Sequence, residues 1–353
     1  MRRLPIARKH GEVRSMASPA RAIAPRHGWT VSPMTRLRCA ILDDYFNIAQ
    51  DVADWSKISD RVDVTVFNHP FASEQAAAGA LGDFEIICAM RERTAFPKSL
   101  FEALPKLKLL LTSGMRNAAI DMAAAKARDV VVCGTQYSRD PTAGLTMGLI
   151  LELTRGIGRE NARMHAGEPW QTFAGIEIEG RTLGVVGLGK LGSKVAGIAK
   201  SFGMNVIAWS PNLTAEKCGE LGVGYASKEE LFAKADIITI HVVLSERSRG
   251  LVGAADLARM KPTAYLVNTA RGPIVDEAAL LEALQQKKIA GAGIDVFSIE
   301  PLPTDHPIRK LDNVVLTPHL GYATADGLRI HYGQMVEAID AWTKGSEPQR
   351  RLT

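Results

Sequence analysis

Residues 181–192 read Arg181-Thr-Leu-Gly-Val-Val-Gly187-Leu-Gly189-Lys-Leu-Gly192, an apolar stretch that runs directly into three spaced glycines. A helical stretch and a second apolar stretch follow, so the glycines stand at a strand-to-helix turn. In such a turn the first glycine allows the tight bend and the second lets main-chain amides approach a pyrophosphate. The third lets the helix pack closely on the strand. The segment therefore predicts a dinucleotide-binding unit in which Gly187, Gly189 and Gly192 surround the phosphates.

Short apolar stretches alternate with helical stretches along the chain on both sides of this turn. Strands are predicted at 37–42, 62–67, 85–89, 107–111, 130–133, 181–186, 205–209, 237–241, 264–268, 292–296 and 314–317. Helices are predicted at 47–58, 96–104, 120–127, 143–164, from the glycine turn to 202, and at 325–342. This alternation predicts the α/β class, with parallel sheets covered by helices on both faces. The 353 residues correspond to about two domains.

The basic character of the chain belongs to its first 34 residues. The whole chain has a formal charge of +5, whereas residues 1–34 hold seven basic residues and one acidic residue, which leaves the remainder at −1. This segment shows no helical or strand periodicity, and we expect a disordered basic extension, with Met34 as the actual first residue. An organelle transit peptide and a functional basic arm are the two alternatives. The near-neutral remainder predicts no nucleic-acid partner.

The rest of the composition restricts the class of protein further. No apolar stretch reaches the roughly 18 residues that span a bilayer, so no membrane partner is expected. The four cysteines lie far apart and lack metal-ligand spacing; they are Cys39, Cys88, Cys133 and Cys218. We therefore expect no metal site and reduced, mostly buried thiols in a reducing compartment, which favours a cytoplasmic location.

The end of the strand at 205–209 bears on the choice of dinucleotide. NAD-specific sites place Asp or Glu there to bind the ribose 2′-hydroxyl. This chain has Ser210 instead, and no arginine is adjacent to meet a 2′-phosphate. Ser210, Asn212 and Thr214 offer hydrogen bonds to either group. NAD and NADP both stay open at this point, with Ser210 as a candidate cofactor-binding residue.

Three charged residues follow the ends of predicted strands in the second half of the chain: Arg271, Glu300 and His319. Ligands of open α/β sheets bind beyond the carboxyl ends of the strands, so these side chains are expected to converge. Hydride transfer to a 2-oxoacid creates an alkoxide that needs a proton, and the ordinary pKa of histidine suits that transfer. A nearby carboxylate favours the protonated ring, and an arginine binds a carboxylate through two hydrogen bonds. We predict His319 as general acid/base, Glu300 as its partner and Arg271 as the substrate anchor.

Four segments together resemble the D-isomer-specific 2-hydroxyacid dehydrogenase family. They are Gly187-Leu-Gly-Lys-Leu-Gly192, Asn268-Thr-Ala-Arg271-Gly272, Asp295-Val-Phe-Ser-Ile-Glu300-Pro301 and Thr317-Pro-His319-Leu-Gly321. The resemblance covers roughly residues 36–345. It implies two Rossmann-like domains, one flavodoxin-like and one dinucleotide-binding, with the active site in the cleft between them.

The resemblance also implies a division of the chain and an assembly. A discontinuous substrate-binding domain is expected at 35–138 plus 317–353, and the dinucleotide-binding domain at 139–316. Members of the family are usually dimers joined through the cofactor domain, so a homodimer is expected. NAD is slightly favoured over NADP on the same ground.

Further site residues carry over from the family by position. The resemblance implies cofactor contacts from Lys190, Leu191, His241, Val242, Thr269, Ala270, Arg271, Asp295, His319 and Gly321, in addition to the three glycines and Ser210. Asp295 stands where the family binds the nicotinamide carboxamide. Ser113, Gly114 and Met115 match the loop whose main-chain amides bind the substrate carboxylate. Arg91 is expected at the cleft, with a solvated rim charge as the alternative interpretation.

Two departures from the family pattern concern the substrate pocket. Met115-Arg116-Asn117 replaces the usual acidic or aromatic residue of the carboxylate-binding loop, and Tyr322 stands where a small residue is common. Neither departure removes a predicted catalytic residue.

The resemblance implies an NAD(P)-dependent oxidoreductase that acts on the CH–OH group of a small 2-hydroxyacid. In the reverse direction it is a reductase of a 2-oxoacid such as glyoxylate or hydroxypyruvate. One alternative is a short form of phosphoglycerate dehydrogenase. The other is a cofactor-sensing binding protein like the corepressor relatives of the family.

Overall fold

The computed structural model of the chain describes residues 36–137 and 139–353. The disordered extension expected at residues 1–34 lies outside these ranges. From Arg36 onward the chain forms a single unit, and this unit contains two parallel sheets.

The first sheet has five parallel strands. They are β1 (Leu37–Ile41), β2 (Val62–Val66), β3 (Ile86–Ala89), β4 (Leu109–Thr112) and β5 (Val131–Gly134). Their order across the sheet is β2-β1-β3-β4-β5, which is the flavodoxin-like order. The helices between them are α1 (Ala49–Val52), α2 (Glu74–Leu81), α3 (Lys98–Ala103) and α4 (Met122–Ala127). Strands β3 and β4 are buried along their whole length, which accounts for their continuous apolar sequence.

The second sheet has seven parallel strands. They are β6 (Thr182–Val186), β7 (Asn205–Trp209), β8 (Gly224–Tyr225), β9 (Ile237–Ile240), β10 (Tyr265–Asn268), β11 (Gly291–Ile294) and β12 (Val314–Leu316). Their order is β12-β11-β10-β9-β6-β7-β8, so the direction of winding reverses between β6 and β9. Dinucleotides bind at such a reversal point. Helices α5 (Pro141–Arg155) and α6 (Ile157–His165) precede this sheet in the chain. The helices between its strands are α7 (Lys190–Ser201), α8 (Ala215–Glu220), α9 (Lys228–Lys234), α10 (Ala254–Leu257) and α11 (Glu277–Gln285).

Two helix predictions are wrong in extent. The long helix predicted at 143–164 is two helices, α5 (Pro141–Arg155) and α6 (Ile157–His165). They meet at Gly156, whose φ of +59° ends α5 in the left-handed conformation and whose missing side chain leaves room for the ring of Phe173. The helix predicted at 47–58 reduces to α1 and a 3₁₀ helix at Trp55–Ile58. Asp54 separates these two because its side chain caps the second one.

The last helix, α12 (Ala325–Thr343), returns to the first sheet. Its buried residues Leu328, Tyr332 and Met335 belong to the same apolar cluster as Ile41 and Leu111 of β1 and β4. The residues beyond the helix lie beside β5, where the amide of Leu352 donates to the carbonyl of Val132 at 2.7 Å. The C-terminal end of the chain is therefore packed together with its first sheet.

Helix α12 also carries a buried histidine to the edge of the first sheet. The Nδ1 atom of His331 lies 2.6 Å from the hydroxyl of Thr135, the residue after β5. The same hydroxyl accepts a hydrogen bond from the amide of Gly114 at 3.0 Å. The loop after β4, which contains the expected carboxylate-binding amides, is thus held by Thr135, which in turn contacts His331, 196 positions further along the chain.

All four cysteines are buried and none forms a disulfide, which agrees with the expectation of buried thiols. Among the described residues, no helix has both the length and the apolar composition required to cross a membrane. The same residues contain no cluster of three or more potential metal ligands.

Stability at acid pH tests the burial of His331. Burial lowers its pKa to about 4, whereas a histidine in an unfolded chain has a pKa near 6.5. Between these two pH values the histidine is protonated in the unfolded chain but neutral in the folded protein. The free energy of unfolding is therefore largest above pH 6.5 and falls as the pH decreases towards 4. The loss amounts to up to about 3 kcal/mol.

Chemical denaturation over this pH range, compared between the wild type and His331→Asn, measures the effect. The asparagine keeps an acceptor near Thr135 but does not titrate, so its unfolding free energy is expected to decline less steeply. Parallel curves for the two proteins would show that His331 is protonated in the folded state.

Candidate active site

The glycine turn lies between β6 and α7, and its first and third glycines are required by close packing. Gly187 has a φ of +100°, and a Cβ there would lie within 3 Å of the main chain of His241 and Val242. A Cβ on Gly192 would lie only 2.0 Å from the carbonyl oxygen of Gly187. Strand, turn and helix therefore touch at these two positions, as the sequence predicts.

At the second position, Gly189, no packing contact in the described part of the chain requires a glycine. Among the described residues, a Cβ on Gly189 would meet no atom within 4 Å apart from its chain neighbours and α7 itself, and its φ of −82° suits any residue. Gly189 is the N-cap of α7, and no side-chain cap hydrogen bond stands at that helix start in the described part of the chain, so space lies above Gly189 at the amino end of the helix. Helix N-termini of this kind bind anions, and the space fits the pyrophosphate of a dinucleotide.

The neighbouring strand ends supply the other expected cofactor contacts. His241 and Val242 lie against Gly187 at the end of β9, and Ser210 directly follows β7. One ring nitrogen of His241 bonds the hydroxyl of Thr239 at 2.5 Å, while its Nδ1 atom is buried and unpartnered among the described residues. Burial lowers the pKa of His241 to about 4, so the ring is neutral at physiological pH. Lys190 reaches the carboxylate of Asp140 at 3.0 Å.

His319 and Glu300 are in direct contact. The Nδ1 atom of His319 lies 2.6 Å from Oε2 of Glu300, and the amide of Phe297 donates to the other carboxylate oxygen at 2.8 Å. Burial raises the pKa of Glu300, but the hydrogen bond and charge of His319 outweigh it and hold that pKa below its ordinary value. Glu300 is therefore an ionised partner for the ring, and the Nε2 atom of His319 is left to face a substrate.

Asp295 fixes the loop that carries His319. Its buried carboxylate accepts three hydrogen bonds, from the hydroxyl of Thr317 at 2.6 Å and the amides of Leu320 and Gly321 at 2.7 and 2.9 Å. Its carbonyl oxygen accepts the amide of His319 at 2.8 Å. Asp295 is fully buried, so its carboxylate serves these contacts within the protein and is not exposed towards the cleft.

Arg271 lies at the end of β10 in a turn that two neighbours shape. The side chain of Asn268 accepts the amide of Ala270 and donates to the carbonyl of Arg271, each at 3.0 Å. The hydroxyl of Thr269 meets that of Thr146 on α5 at 2.9 Å. Gly272 has no room for a Cβ because the main chain of Phe297 passes about 2 Å from that position. The loops after β10 and β11 therefore touch, and this contact brings Arg271 towards Glu300.

The expected substrate loop lies at the carboxyl end of β4. Gly114 has a φ of +101°, and a Cβ there would lie 2.9 Å from the guanidinium of Arg91. The hydroxyl of Ser113 accepts the amide of Arg91 at 2.9 Å. The amides of Ser113 and Gly114 already donate to protein acceptors, whereas that of Met115 has no acceptor in the described part of the chain. About a quarter of the Arg91 side chain is exposed here, so it is partly buried and not a fully solvated rim charge.

Asn117, a departure from the family pattern, stabilises the same loop. Its side-chain amide donates to the carbonyl of Arg91 at 2.6 Å and to the hydroxyl of Thr112 at 2.9 Å. The side-chain oxygen of Asn117 accepts a hydrogen bond from the amide of Ala119 at 2.9 Å. The altered segment is therefore a well-connected turn.

Several site residues were missed by sequence reasoning. Glu92 binds Arg271 at 3.3 Å, and Arg93 stacks over the ring of Tyr45 and donates to the carbonyl of Asp43 at 2.9 Å. Tyr322, which the sequence already marked as a departure at the substrate pocket, packs edge-on against His319, with its hydroxyl buried and unpartnered among the described residues. Asp43 and Glu92 follow strand ends, so the rule that located Arg271 applies to them as well.

A cavity of about 410 Å³ adjoins His319 and Glu300. Residues from both sheets line it: Tyr45, Pro70, Arg93, Phe297, Glu300, Pro301, Leu302, Arg309, Leu316, Thr317, Pro318 and His319. Arg271 and the glycine turn are not among them. Loops that follow strands of both sheets thus enclose space beside the predicted acid/base.

The glycine turn provides a matched pair of variants. Gly189→Ala is expected to keep the free energy of unfolding within about 1 kcal/mol of the wild type, because its methyl group has no close contact among the described residues. The same methyl group occupies the space above the first turn of α7, so the Kd for NADH is expected to rise at least about tenfold.

Gly192→Ala is the contrasting variant and should lose several kcal/mol of stability through the clash with Gly187. Denaturation and NADH fluorescence titration measure the two effects. Undiminished NADH binding by Gly189→Ala would show that the cofactor lies elsewhere.

Comparison with known proteins agrees with this geometry. The family model described as D-isomer specific 2-hydroxyacid dehydrogenase, NAD binding domain, matches residues 147–321. The chain is 37% identical over 257 residues to glyoxylate reductase of Korarchaeum cryptofilum, which covers 70% of this chain and 77% of that protein. It is 40% identical over 263 residues to D-3-phosphoglycerate dehydrogenase of Methanocaldococcus jannaschii, covering 73% of this chain and 50% of that protein.

Among solved structures, phosphoglycerate oxidoreductase from Vibrio cholerae o395 is similar to the whole fold. It matches with a TM-score of 0.83 and 34% identity, over 88% of this chain and all of that one. The chain spans about half the length of the phosphoglycerate dehydrogenases it matches. The two-sheet α/β fold and the resemblance that the four segments carry are both confirmed, and the chain belongs to the D-isomer specific 2-hydroxyacid dehydrogenase family.

Proposed function

We propose that this chain is an NAD(P)-dependent D-2-hydroxyacid dehydrogenase that works as a reductase of small 2-oxoacids, such as glyoxylate or hydroxypyruvate. The observation that carries the proposal is the 2.6 Å contact between His319 and Glu300 at the carboxyl edge of the second sheet. Arg271 follows a neighbouring strand at the same edge. An acid/base, its carboxylate partner and an anion-binding group thus stand beside a phosphate-binding turn.

The proposed chemistry assigns one task to each group. Bound reduced nicotinamide cofactor supplies the hydride. Arg271 binds the carboxylate of the 2-oxoacid and orients its carbonyl group. As the carbonyl carbon gains the hydride, its oxygen becomes an alkoxide and takes the proton from Nε2 of His319. Glu300 stabilises the protonated ring before transfer and holds its orientation afterwards.

The division of the chain follows from the same proposal. Residues 35–138 plus 317–353 form the substrate-binding domain, since α12 packs into the apolar cluster of the first sheet. Residues 139–316 form the dinucleotide-binding domain. Arg91 and the loop of Ser113, Gly114 and Met115 belong to the first part, with the amide of Met115 as the donor to the substrate carboxylate.

The cofactor is proposed to be NAD, with NADP also accepted. Acceptance of NADP is supported by Ser210, which stands at the position where an acidic residue would repel the 2′-phosphate. Gly187, Gly189, Lys190, Leu191 and Gly192 are assigned to the pyrophosphate. The remaining contacts are assigned to His241, Val242, Thr269, Ala270, Asp295 and Gly321.

A homodimer in the cytoplasm is the proposed state of the protein. Helix α6 has no buried residue, and large apolar side chains are exposed on and after it. Ile157 is 58% exposed, Met164 54% and Trp170 73%. An apolar surface of this kind marks a protein contact. The four cysteines form no disulfide, which supports a cytoplasmic location because that compartment keeps thiols reduced.

Oxidation of NADH and NADPH over a panel of 2-oxoacids tests the activity. Turnover is expected with both cofactors, with the larger kcat/KM for NADH. His319→Gln is expected to lower kcat/KM by about 10²–10⁴-fold, because it removes the proton donor. NADH affinity of the variant, measured by fluorescence titration, serves as the control for folding. Binding of cofactor without turnover of any 2-oxoacid would contradict the proposal.

The assembly is tested by light scattering after size-exclusion chromatography. The wild type is expected to have twice the mass of one chain, and Trp170→Glu is expected to shift the protein towards the monomer because it places a charge in an apolar contact. Tyr225→Ser, an exposed aromatic residue on β8, is the matched control. A monomeric wild type would rule out the dimer.

A further inference from the structure

A carboxylate lies between two arginines of the proposed substrate site. The Nη2 atom of Arg271 is 3.3 and 3.4 Å from the two carboxylate oxygens of Glu92, and the Nε atom of Arg91 is 3.8 Å from one of them. All three side chains are only about a quarter to a third exposed, so water screens their charges incompletely. Glu92 follows β3 of the first sheet and Arg271 follows β10 of the second.

The two guanidinium groups are close enough to act on each other. Burial lowers the pKa of Arg91; the charge of Glu92 opposes this shift, and the charge of Arg271 adds to it. Glu92 therefore partly compensates the positive charges of Arg91 and Arg271.

Two other cations near the cleft, Arg93 and His319, have acidic neighbours of their own, whereas Arg309, which lines the cavity, donates to the carbonyl oxygens of Leu302 and Pro303. Arg93 donates to the carbonyl of Asp43, and the carboxylate of Asp43 lies in the same cluster, bonded to Thr94 and Tyr45. His319 is bonded to Glu300. Within the trio of Arg91, Glu92 and Arg271, two positive charges and one negative charge leave a net charge of +1. One charge of this kind matches a ligand with one carboxylate.

We propose that Glu92 makes the cleft selective for 2-oxoacids with a single negative charge and against those that carry a second anionic group, such as a phosphate ester. The inference rests on the proposed function and names the substrate class within it. The carboxylate of the substrate uses the surplus positive charge that Arg91 and Arg271 share. A second anionic group beside this trio meets the negative charge of Glu92 after the surplus is used, and this repulsion discriminates between the two classes.

The test compares hydroxypyruvate with 3-phosphohydroxypyruvate in the wild type and in Glu92→Gln. The glutamine has nearly the same shape without the charge. The wild type is expected to have the larger kcat/KM for hydroxypyruvate. Glu92→Gln is expected to reduce this preference at least about tenfold, through a lower KM for the phosphorylated substrate with little change in its kcat.

Two further variants act as controls. Glu92→Asp keeps the charge and is expected to keep the direction of the preference. Glu102→Gln removes an exposed acid on α3, which pairs with Lys98 on the same helix, and is expected to leave the preference unchanged. An unchanged ratio in Glu92→Gln, or a wild type that prefers the phosphorylated substrate, would overturn the inference.

A binding measurement separates failure of the inference from failure of the proposed function. The Kd values of D-glycerate and 3-phospho-D-glycerate are measured by calorimetry on the NADH-saturated protein, for the wild type and Glu92→Gln. Absence of turnover with every 2-oxoacid contradicts the proposed function alone. A ratio of the two Kd values that is the same in both proteins contradicts the role of Glu92, whatever the turnover.

Discussion

The buried carboxylate of Asp295 holds the part of the molecule on which the site depends. It accepts hydrogen bonds from Thr317, Leu320 and Gly321 and thereby closes the loop after β12 onto the end of β11. His319 lies within this loop at a φ of +53°, a conformation that residues other than glycine adopt only where their surroundings impose it. Burial raises the pKa of Asp295, and the three donors oppose that shift. Without this anion the loop would lose its anchor, and His319 its position against Glu300.

Close approach of main chains is the second constraint. Gly192 allows α7 to begin directly over β6, and Gly272 allows the loop after β10 to touch the loop after β11. These contacts bring the carboxyl ends of neighbouring parallel strands into one site, as expected for open α/β sheets. The first sheet contributes from its own carboxyl edge, where Arg91 and Glu92 follow β3. The ion pair between Glu92 and Arg271 then joins the two sheets across the site.

Sequence-based predictions were correct for features that depend on residue type and spacing within a short segment. The glycine turn, the alternation of strands and helices, and the contact of His319 with Glu300 follow from residues within short segments. The helix predicted at 143–164 failed because its apolar spacing continues through Gly156, and only the ring of Phe173 shows why a glycine must end the helix there. Thr135 and His331 gave no signal, since their contact joins residues far apart in the chain.

The sequence by itself determined the class of the fold and the position of the glycine turn, and it predicted His319 as acid/base, Glu300 as its partner and Arg271 as the anion-binding group. These properties depend on residue type and short-range spacing, which hydrophobic periodicity and glycine geometry record directly. The tertiary structure alone decided which charges face each other. Arg271 and Glu92 are separated by 179 positions, and Coulomb interactions depend on distance in space and on burial, so the balance of charge in the cleft exists only once both sheets are assembled.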